Sequence, residues 1–283
     1  MDACGKTFAI ALATAIIMAP FSHPVLAQGE QPYDTSGLSP YWEPVVSRWE
    51  RIVVRYAEQR RIDPDFVASI IWKESRGIST VRGPTGAVGL MCIKPFPWRP
   101  SADELENPWT NVATGTRTIA QIMRDGSGDV FYALAAYNGG WDQIHLRVTR
   151  GYATDVLDNY ARAVALKHGL PVDGDWVAVI SVEGLPEHRT VTVLGPDWPL
   201  ARYTERPLSE ADVPSVPEDS PPHATLFAFK DERGREARVQ LWLVAEDNAS
   251  QGALVVLPAS TGSSDREASA KGKLLQVFDR LPD

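Results

Sequence analysis

The sequence predicts an α+β protein, with a mainly helical domain at residues 41–170 followed by a smaller β-rich domain at 171–283. Apolar residues recur at three- and four-residue spacing in the first part, whereas the second part contains short runs rich in β-branched residues. The charge divides in the same way: residues 40–170 carry 16 basic and 14 acidic side chains, and residues 171–283 carry 11 and 19. Because the whole chain has a net charge of -8, nucleic acid is not an expected partner.

The first 27 residues have the pattern of a cleaved export signal. Lys6 precedes an apolar stretch at 8–19, and a small-residue cleavage site ends at Ala27. Because the apolar stretch is too short to span a bilayer, we expect a cleaved signal and not a permanent anchor. Removal of the signal is then expected to leave no transmembrane anchor. An uncleaved N-terminus is the alternative. Residues 28–40 are polar and are predicted to be a linker. We therefore expect a periplasmic protein, with secretion as the second destination.

Helices and strands are assigned from periodicity and from capping residues. The first helix carries a buried apolar stripe and ends near Arg61. The second starts at Asp63-Pro64, because Asp caps free backbone N–H groups and Pro tolerates the first helical position, and it stops at Gly77. Further helices are predicted at about 109–124, 129–138 and 154–168. Strands are predicted at 176–182, 189–194, 224–229, 238–245 and 253–257, interrupted by a loop at 196–222 that contains seven prolines.

Glu74 is the candidate catalytic residue. It stands four residues after Ile70 and three after Ile71, and so continues the apolar face of the second helix. Desolvation disfavours a carboxylate and raises its pKa toward neutrality, as general acid and base catalysis requires. Taken alone, a glutamate near a helix end is more often a solvated surface residue. The motifs that follow it decide between these interpretations.

Several short motifs accompany Glu74 in a fixed order. They are Glu74-Ser75, Gly86-Ala87-Val88-Gly89-Leu90-Met91, Asn107-Pro108 with Asn111 and Gly115, Ala136-Tyr137-Asn138-Gly139-Gly140, and Tyr160. Together they resemble the soluble lytic transglycosylases of the goose-lysozyme-like superfamily over about residues 41–168. The resemblance implies a lysozyme-like fold for the helical domain. It also implies cleavage of the MurNAc-GlcNAc β-1,4 bond in peptidoglycan, with 1,6-anhydromuramoyl ends as products and peptidoglycan glycan strands as the partner.

The same resemblance implies the roles of individual residues. Glu74 protonates the glycosidic oxygen and then removes the proton of the C6 hydroxyl, while the N-acetyl group of the substrate stabilises the sugar cation. Tyr160 is expected to hydrogen-bond to this carboxyl and orient it. Substrate contacts are expected from Ser75, Gly89, Leu90, Met91, Cys92, Tyr137, Asn138 and Tyr160. The alternatives are structural: turns at the glycines, core positions for the methionine and for Tyr160, and a helix C-cap at Asn138.

A single carboxyl distinguishes this chemistry from glycosidases that use a pair. The motifs contain no second acid, although Asp103, Glu104 and Glu106 could reach the site from a loop. A hydrolytic lysozyme that uses water is therefore the alternative enzyme.

Two positions depart from the family pattern. Cys92 stands where the family usually has Gln, and Gly83 stands where Ser is common, so contacts with an N-acetyl group are expected to be weaker. Signal removal leaves Cys92 as the single cysteine, and a cysteine nucleophile is a rival interpretation, but His145 and His168 form no recognisable pair with it. A degenerate wall-binding component of a secretion or conjugation apparatus is the alternative from another class, with trans-envelope machinery as its partner. No metal-ligand spacing or phosphate-binding loop occurs in the sequence, so neither a metal nor another cofactor is expected.

Overall fold

The structure is a computed structural model that describes residues 37–173, 176–185, 191–194, 221–245 and 255–257. The predicted signal at 1–27 and most of the proline-rich loop at 196–222 lie outside the described residues. Across the described ranges, no helix combines the length and apolarity needed to cross a membrane.

Seven α-helices make up the first part of the described chain. They are α1 (Pro44–Ser47), α2 (Glu50–Arg60), α3 (Pro64–Ser75), α4 (Ala102–Leu105), α5 (Pro108–Asp125), α6 (Val130–Gly139) and α7 (Arg147–Lys167). The predicted first helix is divided between α1 and α2, and α7 begins at Arg147 instead of near 154. The short α4 has too few residues to show a helical period, and it forms through a capping box between Ser101 and Glu104.

Both ends of α3 follow from the local sequence. The Asp63 carboxylate accepts the backbone N–H of Asp65 at 2.8 Å, and Pro64 occupies the first helical position, which confirms the predicted start. The helix ends at Ser75, after which Arg76 turns left-handed with a φ of 52° and Gly77 continues this turn with a φ of 76°. A Cβ at this position would lie 2.2 Å from the carbonyl oxygen of Val45, so only glycine fits. The position of this stop places Glu74 in the last turn of α3.

Residues 37–40, predicted as linker, pack against the helices. The backbone N–H of Ser39 donates to Asp65 Oδ1 at 2.8 Å, and the Trp42 indole N–H donates to the same oxygen at 2.7 Å. Lys167 pairs with the other Asp65 oxygen at 2.7 Å. A fully buried carboxylate is tolerated only when it is paired and hydrogen-bonded, so Asp65 fixes this segment in place.

In the described part of the chain after α7, five antiparallel strands form one sheet in the order β3-β4-β1-β2-β5. They are β1 (Trp176–Glu183), β2 (Val191–Leu194), β3 (Ala224–Lys230), β4 (Glu236–Ala245) and β5 (Val255–Leu257). All five lie at predicted strand positions. In the longest pairing, β1 and β4 align from Trp176 with Ala245 to Glu183 with Arg238.

The outer edge of β3 pairs with the chain between α2 and α3. The N–H of Asp63 donates to the carbonyl of Leu226, and the N–H of Ala228 donates to the carbonyl of Arg61, each at 2.9 Å. These bonds satisfy backbone groups that an edge strand otherwise leaves unpaired. Buried side chains of the sheet and of the helices belong to one hydrophobic cluster. The α+β class is thereby confirmed, while the division into two domains at residue 170 stays a prediction.

Candidate active site

Glu74 is partly buried, and its carboxyl group is held by a tyrosine from α7. The hydroxyl of Tyr152 donates to Glu74 Oε1 at 2.8 Å. Tyr152 is buried, with 5% of the residue exposed. Burial raises the pKa of Glu74, although hydrogen bonds from Tyr152 and Cys92 and the charge of Lys73 act in the opposite direction. A carboxyl group with a raised pKa is suited both to donate and to accept a proton near neutral pH.

The prediction that Tyr160 orients this carboxyl is wrong. Tyr160 is fully buried, and its hydroxyl donates to Asp63 Oδ2 at 3.0 Å, at the opposite end of α3. Eight residues of helix separate Tyr152 from Tyr160, a rise of about 12 Å. Because α7 runs antiparallel to α3, the earlier tyrosine reaches the C-terminal turn that carries Glu74. Tyr152 lies before the predicted start of this helix and is therefore absent from the predicted site residues.

One buried asparagine anchors the turn at residues 88–93. The side-chain amide of Asn111 donates to the carbonyls of Val88 at 2.7 Å and Leu105 at 2.9 Å, and its oxygen accepts the N–H of Met91 at 2.8 Å. The Val88 carbonyl also accepts the N–H of Ile93 at 2.9 Å, so the Met91 N–H and the Leu105 carbonyl depend most on Asn111. A buried backbone group left without a partner costs about 1–3 kcal/mol. The contacts explain why Asn111 belongs to the same motif set as the turn.

Gly89 is required by contacts within the protein. It has a φ of 82°, and a Cβ would lie 2.1 Å from Nδ2 of Asn111 and 2.5 Å from the carbonyl oxygen of Leu105. Gly86 also has a positive φ, of 84°, but nothing lies within 4 Å of its Cβ position, so it serves a turn. The close approach at Gly89 is thus accounted for by Asn111, and backbone contact with a sugar stays a prediction.

Three of the predicted substrate-contact residues have buried side chains. Ser75 is 4% exposed, and its hydroxyl donates to the carbonyl of Leu90 at 2.8 Å. Leu90 and Met91 are fully buried, and Met91 packs against Gly115, where a Cβ would lie 2.3 Å from its sulfur. These side chains support the turn instead of facing a ligand, which corrects the prediction of side-chain contacts. The core interpretation of the methionine is the one that holds.

Cys92 contacts the Glu74 backbone and Tyr137 contacts the turn that carries Cys92, while the binding of substrate by both residues stays a prediction. The Cys92 sulfur is 3.5 Å from the backbone oxygen of Glu74, and the Tyr137 hydroxyl donates to the carbonyl of Met91 at 2.8 Å. Burial and the Glu74 charge raise the pKa of Cys92 to about 12, so the neutral thiol is a poor nucleophile. Asn138 is exposed in the last turn of α6.

The acidic residues around α4 are engaged in other interactions. Arg82 contacts Asp103 at 3.2 Å and Glu106 at 2.6 Å. Glu104 accepts hydrogen bonds from the backbone and hydroxyl of Ser101, both at 2.8 Å. None of these three carboxylates therefore forms a pair with Glu74.

Comparison with known proteins identifies proteins that are similar to part of this chain. Residues 51–155 match the family described as Transglycosylase SLT domain. The chain is 30% identical over 91 residues to membrane-bound lytic murein transglycosylase E of Buchnera aphidicola, a match that covers 28% of this chain and 41% of that protein. It is 32% identical over 113 residues to a transglycosylase of Enterobacteria phage PRD1, covering 39% of this chain and 42% of that one. A solved structure of an inactive mutant of the lytic transglycosylase Slt from Pseudomonas aeruginosa gives a TM-score of 0.38 at 25% identity, covering 45% and 25% of the two chains. The chain thus spans less than half the length of each of these relatives.

Proposed function

We propose that this protein is a lytic transglycosylase that cleaves the MurNAc-GlcNAc β-1,4 bond of peptidoglycan, because residues 51–155 match the transglycosylase SLT domain family. The observation that carries the proposal is the partly buried carboxyl of Glu74, hydrogen-bonded to Tyr152 at 2.8 Å. Such a group has the fixed orientation and the raised pKa that a single acid and base needs.

In the proposed reaction, one carboxyl group serves two proton transfers. Protonated Glu74 gives its proton to the glycosidic oxygen as the bond from that oxygen to C1 of MurNAc breaks. The oxygen of the C6 hydroxyl then bonds to C1, and the ionised carboxylate accepts the proton that this hydroxyl loses. Glu74 is protonated again at the end, no water is consumed, and the product carries a 1,6-anhydromuramoyl end.

The hydrogen bond from Tyr152 has opposite consequences for the two steps. It stabilises the carboxylate, which favours the first proton donation and weakens the base in the second step. Burial acts in the reverse direction, because it destabilises the carboxylate. Their balance keeps both protonation states of Glu74 accessible in one catalytic cycle.

The pairing of the α4 carboxylates supports a lyase over a hydrolase that uses two acids. Asp103 and Glu106 share Arg82, and Glu104 is held by Ser101, so these acids have partners away from Glu74. A paired-carboxylate hydrolysis would need one of them beside the glycosidic bond.

Substrate contacts and location are part of the same proposal. Cys92, Tyr137 and Asn138 contact the sugar, together with the backbone of residues 89–91. The protein acts in the periplasm after export, where it meets glycan strands.

The Glu74→Gln substitution tests the proposal, because glutamine preserves the size of the side chain and cannot exchange the proton. Release of soluble fragments from purified peptidoglycan should fall to background, while circular dichroism and melting temperature stay near the wild-type values. Glu106→Gln is the matched control and should retain release. Activity that survives Glu74→Gln, or is lost in Glu106→Gln, would contradict the assignment of the acid.

A further inference from the structure

The loop that leaves the candidate active site carries a stacked aromatic pair, of which Trp98 is exposed and Phe96 is half-buried. Phe96 and Trp98 stack with ring centroids 5.2 Å apart and an interplanar angle of 4°. Phe96 covers one side of Trp98, yet 43% of Trp98 remains exposed. A large aromatic surface left in water is costly, and in proteins it often marks a binding site.

This loop is stiff and is joined directly to the site. Prolines at 95, 97 and 100 fix backbone angles on both sides of the pair. The N–H of Arg99 donates to the carbonyl of Phe96 at 2.9 Å, which closes a turn around Pro97 and Trp98. A preformed loop loses little conformational entropy when a ligand binds.

The loop follows immediately after the turn at 88–93, in which the Cys92 sulfur lies 3.5 Å from the backbone oxygen of Glu74. Phe96 comes three residues after the end of this turn. The aromatic pair therefore lies on the segment of chain that leaves the candidate active site.

The loop also carries positive charge. The Lys94 ammonium lies 5.9 Å and the Arg99 guanidinium 5.4 Å from the centre of the Phe96 ring. Lys94 is exposed, and no carboxylate in the described part of the chain forms an ion pair with it. A ligand for this surface would combine a flat apolar face with a nearby anion.

We propose that Lys94, Phe96 and Trp98 form an accessory site for peptidoglycan strands that still carry their stem peptides, with a sugar ring on Trp98 and a stem-peptide carboxylate at Lys94. The substrate class rests on the proposed function. The site adds to affinity for the polymer and takes no part in proton transfer at Glu74.

Binding is measured by co-sedimentation of the Glu74→Gln protein with intact peptidoglycan sacculi, so that cleavage does not interfere. Adding Trp98→Ala should raise the Kd about threefold to tenfold, whereas Trp98→Tyr should restore most of the affinity. Val148→Ala, at an apolar position that is 69% exposed on α7, is the control and should have no effect. An unchanged Kd for Trp98→Ala would overturn the accessory site.

Lys94→Gln tests the anion. It should weaken binding to intact sacculi at low salt and have no effect on sacculi stripped of stem peptides by an amidase, with the exposed Lys230→Gln as control. Equal weakening on both materials would overturn the assignment of the carboxylate. Failure of the accessory site can be distinguished from failure of the proposed reaction. A wild-type protein that releases no anhydro products would refute the reaction, and it would leave these binding results unaffected.

Discussion

The hydrogen bond between Tyr152 and Glu74 leads to a prediction about pH dependence. Tyr152→Phe removes a 2.8 Å donor from the carboxylate while the ring still fills its buried position. A hydrogen bond to a charged group contributes about 1.5–3 kcal/mol, and the partial exposure of Glu74 favours the lower limit. Because the bond stabilises the ionised form, its loss should move the high-pH limb of the activity profile upward by about one pH unit. Maximal activity should also fall, because the carboxyl loses its fixed orientation.

The assay is the rate of anhydro-product release from purified peptidoglycan between about pH 4 and 9. Tyr160→Phe is a closely matched control, since it deletes the same atom from the same helix but breaks a bond to Asp63 at 3.0 Å. It should lower the free energy of unfolding by about 1 kcal/mol or more and leave the high-pH limb in place. A shifted limb in Tyr160→Phe together with an unshifted limb in Tyr152→Phe would refute the orientation of Glu74 by Tyr152.

Three further predictions concern stability and are measured by urea unfolding. Burial and the nearby Asp65 raise the pKa of Asp63 to about 8. The folded state therefore binds the proton of the Asp63 carboxyl more tightly than the unfolded state does, and the stability that this bound proton contributes is lost as the pH rises toward 8. Asp63→Asn should therefore gain stability relative to wild type between about pH 4 and pH 8, and a difference that stays constant with pH would contradict this. Asn111→Ala should lower the free energy of unfolding by at least about 2 kcal/mol, because the Met91 N–H and the Leu105 carbonyl lose this partner while the Val88 carbonyl keeps the N–H of Ile93. A loss below about 1 kcal/mol would show that these two hydrogen bonds are dispensable. At Gly151 nothing lies within 4 Å of an added Cβ, so Gly151→Ala should raise the free energy of unfolding by up to about 1 kcal/mol. Gly115→Ala should lower it by about 1–3 kcal/mol, and equal effects of the two substitutions would refute the tight packing at Gly115.

The parts of the fold that depend on local chemistry were predictable from the sequence. The Asp63-Pro64 start of α3 and its stop at Gly77 follow from capping and from backbone freedom, so the position of Glu74 in the last turn could be inferred. The strands were predictable from their β-branched runs. The resemblance to soluble lytic transglycosylases is confirmed by the family match over residues 51–155.

Contacts between distant elements were not predictable. Whether Tyr152 or Tyr160 reaches Glu74 depends on the direction and register of α7 against α3, and both tyrosines lie on the same helical face. Tyr152 becomes a candidate only when α7 is known to start at Arg147. Residues 37–40 look like a linker because their partners, among them Asp65, are remote in the sequence.

The masses of the fragments released from purified peptidoglycan distinguish a lyase from a hydrolase. Wild-type protein should give muropeptides lighter by one water than hydrolytic products, and the Glu74→Gln protein should give none. Hydrated reducing ends from the wild-type protein, or anhydro fragments from Glu74→Gln, would contradict a single carboxyl that serves as both acid and base.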